Sequence, residues 1–216
     1  MAEITAILVS YRRPENMGRL VDALRAQTVV PELILVNNWD MQTWGIGRAV
    51  FVPWNAGPMM RYLLAPYVET PWVMTIDDDV MPGDAEFVAD ALALAKRRPG
   101  AITSAAGRGL HREPPYYRGE PWGNAEIVLA KLTVFHRDLL RRVGLPPMWE
   151  PAMFRSDDIW FSLEVGRGQP VHWADEGLSS RLIALPEGGP DVALSLQPEH
   201  LAGRNAACRW WLEHRQ

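Results

Sequence analysis

Trp72-Val73-Met74-Thr75-Ile76-Asp77-Asp78-Asp79-Val80 is an apolar run that ends abruptly in three carboxylates. A short run of this kind, rich in large and β-branched residues, suits a buried strand. Three adjacent negative charges repel one another, so the turn after that strand favours a cation or hydrogen-bond donors nearby. On an extended segment residues two apart face the same way, which pairs Asp77 with Asp79. Such a pair can hold Mg²⁺ or Mn²⁺ through hard oxygen ligands, with water and phosphate oxygens filling the remaining positions. A metal held there stabilises a departing diphosphate. A solvated acidic turn is the plain alternative. Two other readings fail on the residues that follow. An EF-hand loop needs glycine at its sixth position, where Pro82 stands, and an aspartyl-phosphate phosphatase would carry threonine where Met81 stands.

The surrounding chain alternates strand and helix signals. Residues 4–9 form an apolar run ending at Ser10-Tyr11-Arg12-Arg13-Pro14, after which Met17, Leu20, Val21 and Leu24 recur at helical spacing. Residues 33–36 read as a second strand ending at Asn37-Asn38, and residues 50–52 as a third ending at Pro53-Trp54-Asn55. Residues 59–64 read as helical. Beyond the acidic turn, Pro82-Gly83-Asp84 opens a helix containing Phe87, Val88, Ala91 and Leu92, closed by Arg97-Arg98-Pro99-Gly100. This alternation predicts an α/β fold with a mostly parallel sheet and helices on both faces. Ligands of such sheets sit beyond the carboxyl ends of the strands, where all four polar clusters fall.

Composition changes after residue 104. Residues 107–124 are rich in glycine, proline, arginine and aromatics, and read as a long loop around His111, Tyr116, Tyr117, Arg118 and Trp122 that can close over a ligand. Residues 125–135 look extended, and 138–143 look like a short helix. Ser156 can cap a helix over 157–165 that ends at Gly166 or Gly168, and the tail 197–216 carries another helix. No repeat or linker interrupts the chain. Its 216 residues fit one domain, with a donor-binding half over about 1–106 and an acceptor half with its tail over about 107–216.

The bulk numbers narrow the function classes. Hydrophobic residues make up 48% and charged ones 22%, as in a folded soluble protein, and a net charge of −4 argues against a nucleic-acid binder. Cys208 is the single cysteine, which excludes an intrachain disulfide framework and a cysteine-rich zinc site. The N-terminal apolar run is too short to span a bilayer and lacks a basic leader, which predicts a cytoplasmic protein able to dock peripherally on a membrane. Ten tryptophans are many for this length. Trp72 reads as core, whereas Trp39, Trp54, Trp122, Trp149 and Trp160 lie beside polar motifs, where a flat ring suits the C–H face of a sugar or a nucleobase.

Taken together, these pieces resemble the nucleotide-sugar glycosyltransferases of GT-A fold, a Rossmann-like nucleotide-binding architecture, and family 2 in particular. Ile7-Leu8-Val9-Ser10-Tyr11-Arg12-Arg13-Pro14 is similar to that family's opening strand and nucleotide loop, and Leu33-Ile34-Leu35-Val36-Asn37-Asn38 to its second strand. Asn55-Ala56-Gly57 with Arg61 resembles its Asn-x-Gly segment with a downstream arginine. Asp77-Asp78-Asp79 stands where the family keeps Asp-x-Asp, and Ser156-Asp157-Asp158-Ile159-Trp160 resembles the acidic pair that opens a helix in the acceptor half. Trp39-Asp40 replaces the usual Gly-Ser, and the resemblance ends near residue 166.

The resemblance implies an enzyme that moves a sugar from a nucleotide-sugar donor, a UDP-sugar first, to a hydroxyl of a saccharide, lipid-linked or other acceptor. It implies Mn²⁺ or Mg²⁺ at Asp77 and Asp79, with His172 as a late metal ligand. Tyr11, Arg12, Asn37 and Asn38 would hold the nucleoside, Ser10 and Asn55 would belong to the same donor site, Arg61 would hold the donor sugar or phosphate, and Asp78 the ribose or sugar. Asp158 is the candidate general base of an inverting transfer, with Asp157 as the alternate; stabilisation of the helix dipole explains the same carboxylates without catalysis. The rival enzyme, a sugar-nucleotide nucleotidyltransferase, would carry a Gly-rich loop after the first strand, and residues 10–14 contain no glycine. A non-catalytic nucleotide-sugar binder of the same fold is the remaining alternative. Oligomeric state has no signature here.

Overall fold

The structure, a computed structural model, describes residues 2–119, 122–144, 155–189 and 191–215. Trp149 lies outside them. The first half contains β1 (Ile4–Ser10), α1 (Pro14–Arg25), β2 (Glu32–Asn37), β3 (Arg48–Phe51), α2 (Met60–Leu64) and β4 (Trp72–Asp77). After the acidic turn come β5 (Val80–Pro82), α3 (Phe87–Lys96) and β6 (Thr103–Ser104). The segment expected as a long loop instead contains β7 (Gly107–Leu110), β8 (Tyr117–Arg118) and the start of β9 (Gly123–Ala125). Next are β10 (Ile127–Val128) and β11 (Leu132–His136), and a 3-10 turn at Arg137–Arg142 replaces the expected short helix. The rest holds α4 (Asp157–Gly166), β12 (His172–Ala174), α5 (Glu176–Ser180), β13 (Leu182–Ala184) and α6 (His200–His214).

An eight-stranded sheet in the order β3-β2-β1-β4-β11-β6-β12-β9 forms the centre. β3, β2, β1 and β4 run parallel, β11 turns antiparallel against β4, and β6 and β12 pair in parallel. Side-chain alternation along the strands divides the core in two. Ile4, Ala6 and Leu8 of β1 and Trp72, Met74 and Ile76 of β4 pack with α1 and α3, while Ile7 and Val73 join Ile159, Leu163, Cys208 and Trp211 on the opposite side. Helices therefore cover both faces.

The N-terminal helix illustrates how local sequence fixes these elements. In α1, Pro14 occupies the first turn with Glu15, where an absent N–H costs nothing and a negative charge meets the positive end of the helix dipole. Met17, Leu20, Val21 and Leu24 then form its buried stripe. At the other end of α4, Arg167 adopts a left-handed φ of 53° and Gly168 N–H closes back on Leu163 O at 3.3 Å, the stop expected near Gly168. Ser156 makes no side-chain cap bond there. Among the described residues no helix is long and apolar enough to cross a membrane.

Candidate active site

Strand register sets the position of the site. Ser10 lies opposite Asn37 and Val9 opposite Asp77, so β1, β2 and β4 end at one edge. Asp77 N–H donates to Lys131 O, just before β11, at 3.2 Å. Beyond this edge opens a cleft of about 330 Å³ whose walls include Tyr11, Asn38, Asn55, Arg61, Asp77, Asp78, Asp79, Asp157 and Asp158. Residues from both halves of the chain thus face one space.

Four expected residues do not line that space. Ser10 is buried at the end of β1. Asn37 spends its amide on the following loop, donating to Asp40 Oδ1 at 2.6 Å and to Gln42 O at 3.0 Å while its Oδ1 accepts from Trp39 N–H. Arg12, held at φ 58°, turns outward to lie 4.2 Å over the Trp39 ring and to pair with Asp191 at 3.2 Å. His172 corrects the expected metal set. It is fully buried, its Nδ1 accepts from Ile102 N–H at 3.1 Å, and its Nε2 meets Ser162 O at 2.8 Å. Burial lowers its pKa to about 4, against the opposing hydrogen bond to Ser162. With both nitrogens used inside the core, His172 is a structural residue.

The tryptophans divide in the same way. Trp72 is core as expected, and Trp160 is also buried, with Nε1 donating to Gly144 O at 3.1 Å. Trp39, Trp54 and Trp122 stay exposed.

Within the cleft, carboxylates alternate with arginines. Tyr11 N–H donates to Asp78 Oδ2 at 3.2 Å, and Arg13 Nη1 donates to Asp78 Oδ1. Burial raises the pKa of Asp78, and the Arg13 charge works against that rise. Arg61 pairs with Asp77 at 2.8 Å and with Asp157 at 3.3 Å, although its side chain is only 5% exposed. Burial opposes the Arg61 charge, but Asp77 and Asp157 outweigh it and hold the guanidinium protonated. Arg204, from α6, pairs with Asp158 at 2.7 Å. Burial, partly countered by Arg61 and reinforced by Asp158, pushes Asp157 up to about 7.

Among the described residues, Asn38, Asp79, Asp157 and Arg204 of the cleft wall each keep a buried polar atom without a hydrogen-bond partner, and the first two bear on ligand binding. Asn38 is buried, yet neither its amide nitrogen nor its oxygen has a hydrogen-bond partner. Asp79 Oδ1 is likewise buried and unpartnered, while Oδ2 stands 3.6 Å from Arg13. Burial and the neighbouring Asp77 push the Asp79 carboxyl up to about 6. Buried polar atoms without partners are uncommon in native structures, and a water, an ion or a ligand group would satisfy them.

Asp79 Oδ1 therefore fits a hard cation. Among the described residues no group of three or more His, Cys, Asp or Glu side chains is arranged to hold a metal, so a cation would draw most of its oxygens from elsewhere. Mg²⁺ characteristically takes one or two carboxylates and completes its shell with water and substrate phosphates. Asp77, already engaged by Arg61, is the less available of the two expected ligands.

Several cleft residues carry no signal in the local sequence. Lys131, Arg155, Glu187, His200 and Arg204 all line the walls, beside Tyr117 from the segment expected to close over a ligand. The segment after β13 is drawn over the acidic turn by Leu185 N–H on Asp79 O at 2.7 Å, by Asn16 Nδ2 on Pro186 O at 2.8 Å, and by Arg13 Nε on Glu187 O at 2.9 Å. Asn16 Nδ2 also donates to Asp78 O at 2.9 Å, tying the turn to α1. Arg13, within the expected nucleotide loop, rather than Arg12, is the arginine that reaches the acidic turn.

No protein-family model and no curated protein matches the chain. Among solved structures it is similar to the mannosyltransferase PcManGT from Pyrobaculum calidifontis in complex with GDP-Man and Mn²⁺, at TM-score 0.61 and 14% identity, over 82% of this chain and 55% of that one. It is also similar to S. aureus TarS 1-349 in complex with UDP-GlcNAc, at TM-score 0.61 and 15% identity, over 93% of this chain and 60% of that one. The chain spans little more than half the length of the mannosyltransferase. At these identities the likeness concerns the fold. That fold is the α/β architecture with a mostly parallel sheet expected from the alternation of strands and helices in the sequence.

Proposed function

We propose that this protein is a glycosyltransferase that moves a sugar from a nucleotide-sugar donor to an acceptor hydroxyl with inversion at the anomeric carbon. What carries the reading is one cleft in which Asp79 Oδ1 and the Asn38 amide lack partners while Asp157 and Asp158 stand in the same wall. The fold shared with a mannosyltransferase bound to GDP-Man and Mn²⁺ supports it.

Asn38 and the Tyr11 loop take the nucleoside, since the free amide offers one donor face and one acceptor face. Asp79, with Asp77 beside it, holds a divalent cation, Mn²⁺ or Mg²⁺. Such a cation neutralises charge that develops on the diphosphate. Lys131 already bears electrostatically on Asp79 and adds positive charge at the same place. Asp158 accepts the proton of the acceptor hydroxyl as that oxygen bonds to the anomeric carbon, and the bond from that carbon to the diphosphate breaks with its electron pair leaving on the nucleotide. Asp157, whose raised pKa leaves it largely protonated below neutrality, is the alternate base.

Incubation with UDP-GlcNAc or GDP-mannose and Mn²⁺ should release the nucleoside diphosphate, with the anomer of the sugar product read by proton NMR. Asp158→Asn should keep donor binding and lose release. Equal release by Asp158→Asn would remove the base assignment, and a product that retains configuration would remove inversion.

A further inference from the structure

The last fifty residues lie outside the motifs that resemble a known family, yet α6 contributes to the cleft wall. His200 and Arg204, one helical turn apart, both line it. The helix is held firmly against α4. Ala207, Cys208 and Trp211 share a core with Ile159 and Leu163, and Trp211 Nε1 donates to the buried Glu164 at 3.1 Å. A second tie joins α6 to β8, where Tyr117 N–H donates to Asn205 Oδ1 at 3.1 Å. Arg204 is therefore delivered by a packed helix, and the ring of Tyr117 lies 4.6 Å from its guanidinium carbon. A cation over an aromatic face is fixed in place as well as stabilised.

Arg204 meets one carboxylate. Its Nη2 donates to Asp158 Oδ2 at 2.7 Å, and Ile159 N–H donates to Asp158 Oδ1 at 2.9 Å. One bond at each oxygen fixes the plane of the group. An ionised carboxylate has about four acceptor positions, so lone pairs remain for a substrate hydroxyl. The neighbouring Asp157 is placed differently. It shares Arg61 with Asp77, and its Oδ2 makes no hydrogen bond. Two adjacent buried carboxylates resist ionising together. Arg204 hydrogen-bonds Asp158, whereas the guanidinium paired with Asp157 is shared with Asp77.

We infer that Arg204 is the positioning residue of the general base, holding the Asp158 carboxylate oriented toward the acceptor hydroxyl. The inference rests on the glycosyl-transfer reading and adds to it a function for the C-terminal helix. Tyr117 is the platform beneath the guanidinium, so β8 and α6 together complete a base that α4 alone would leave loose.

The test is a kinetic cycle of Arg204→Met, Arg204→Lys, Asp158→Asn and the double variant Arg204→Met/Asp158→Asn. Each is assayed for Mn²⁺-dependent release of nucleoside diphosphate from UDP-GlcNAc and GDP-mannose, with donor-induced thermal stabilisation measured in parallel. Arg204→Met should lower kcat by about 100-fold, at the low end of what a general base contributes, with donor KM and stabilisation unchanged. Arg204→Lys should recover part of the loss, and should do so even if Arg204→Met fails to fold, in which case its kcat relative to wild type carries the test. The double variant should be no slower than Asp158→Asn. The inference is overturned if Arg204→Met or Arg204→Lys keeps full kcat, if the two losses add, or if the loss falls on donor KM. Absence of donor stabilisation or of release in the wild type would instead overturn the glycosyl-transfer reading, and the inference with it.

Discussion

Asp77, Asp78 and Asp79 follow a parallel strand at the centre of the sheet, whereas Asp157 and Asp158 open a helix in the half that packs behind it. The first group is partly open, with Asp77 27% and Asp79 18% exposed at the side chain; in the second, both side chains are 7% exposed or less. Their counter-charges also come from different elements. Arg13 and Arg61 pair with the strand-end group, Arg61 reaching Asp157 as well, while Asp158 pairs with Arg204 of α6. The difference teaches what each site is suited to do. A partly solvated strand end with an unmatched carboxylate oxygen can take a cation and a diphosphate. A buried carboxylate held by an arginine at one oxygen and a backbone N–H at the other is fixed in orientation toward the cleft.

Substitutions can break or sharpen this contrast. Asp158→Asn should have the largest effect, a loss in turnover of about 10²–10⁴-fold with donor binding intact, as steady-state kinetics and calorimetry would show. Arg61→Met comes next. It strands the two carboxylates that the buried guanidinium joins, and breaking a buried pair costs about 3–5 kcal/mol, measurable by urea denaturation. His172→Ala should be milder, at about 1–3 kcal/mol for the backbone groups it leaves unmatched, with Mn²⁺-dependent stabilisation unaffected. A loss of metal response in that variant would restore His172 to the metal set.

The same contrast predicts a pH dependence at Asp157. Its folded pKa lies above the usual carboxylate value, so the native state binds its proton more tightly than the unfolded chain does. The resulting stabilisation is complete below pH ~4 and is lost as pH rises through about 7. Melting temperatures should therefore favour Asp157→Asn over wild type progressively from pH 5 to pH 8. A constant difference across that range would count against the raised pKa.

The contrast also explains what the sequence made legible. β1, α1, β2, β4 and α3 were readable because their apolar periods are long enough to register and their ends carry charge or proline. The convergence of Asn38, Asp77, Asp78 and Asp79 followed from strand ends meeting at one edge. Residues 107–124 read as a loop because β7 and β8 are too short to show a period and β7 contains two glycines. At Gly107 a side chain would bring its Cβ within 2.7 Å of Ala125 Cβ, so close strand packing selects the residue that looks like a loop former. The choice between Arg12 and Arg13 was illegible because it turns on the left-handed conformation of Arg12. His172 misled because a buried histidine with two backbone contacts looks in sequence like any ligand. Arg204 had no local signal at all, since its partner is reached only when α6 packs on α4.

The central claim is that the strand-end site takes a nucleotide sugar with a divalent cation. A thermal-shift screen of UDP-, GDP- and dTDP-sugars, each with Mn²⁺, Mg²⁺ or EDTA, on wild type and Asp79→Asn tests it most directly. The account predicts stabilisation by one nucleotide family, dependent on metal and lost in Asp79→Asn. Stabilisation by none of the donors, or stabilisation that survives both EDTA and the substitution, would contradict it.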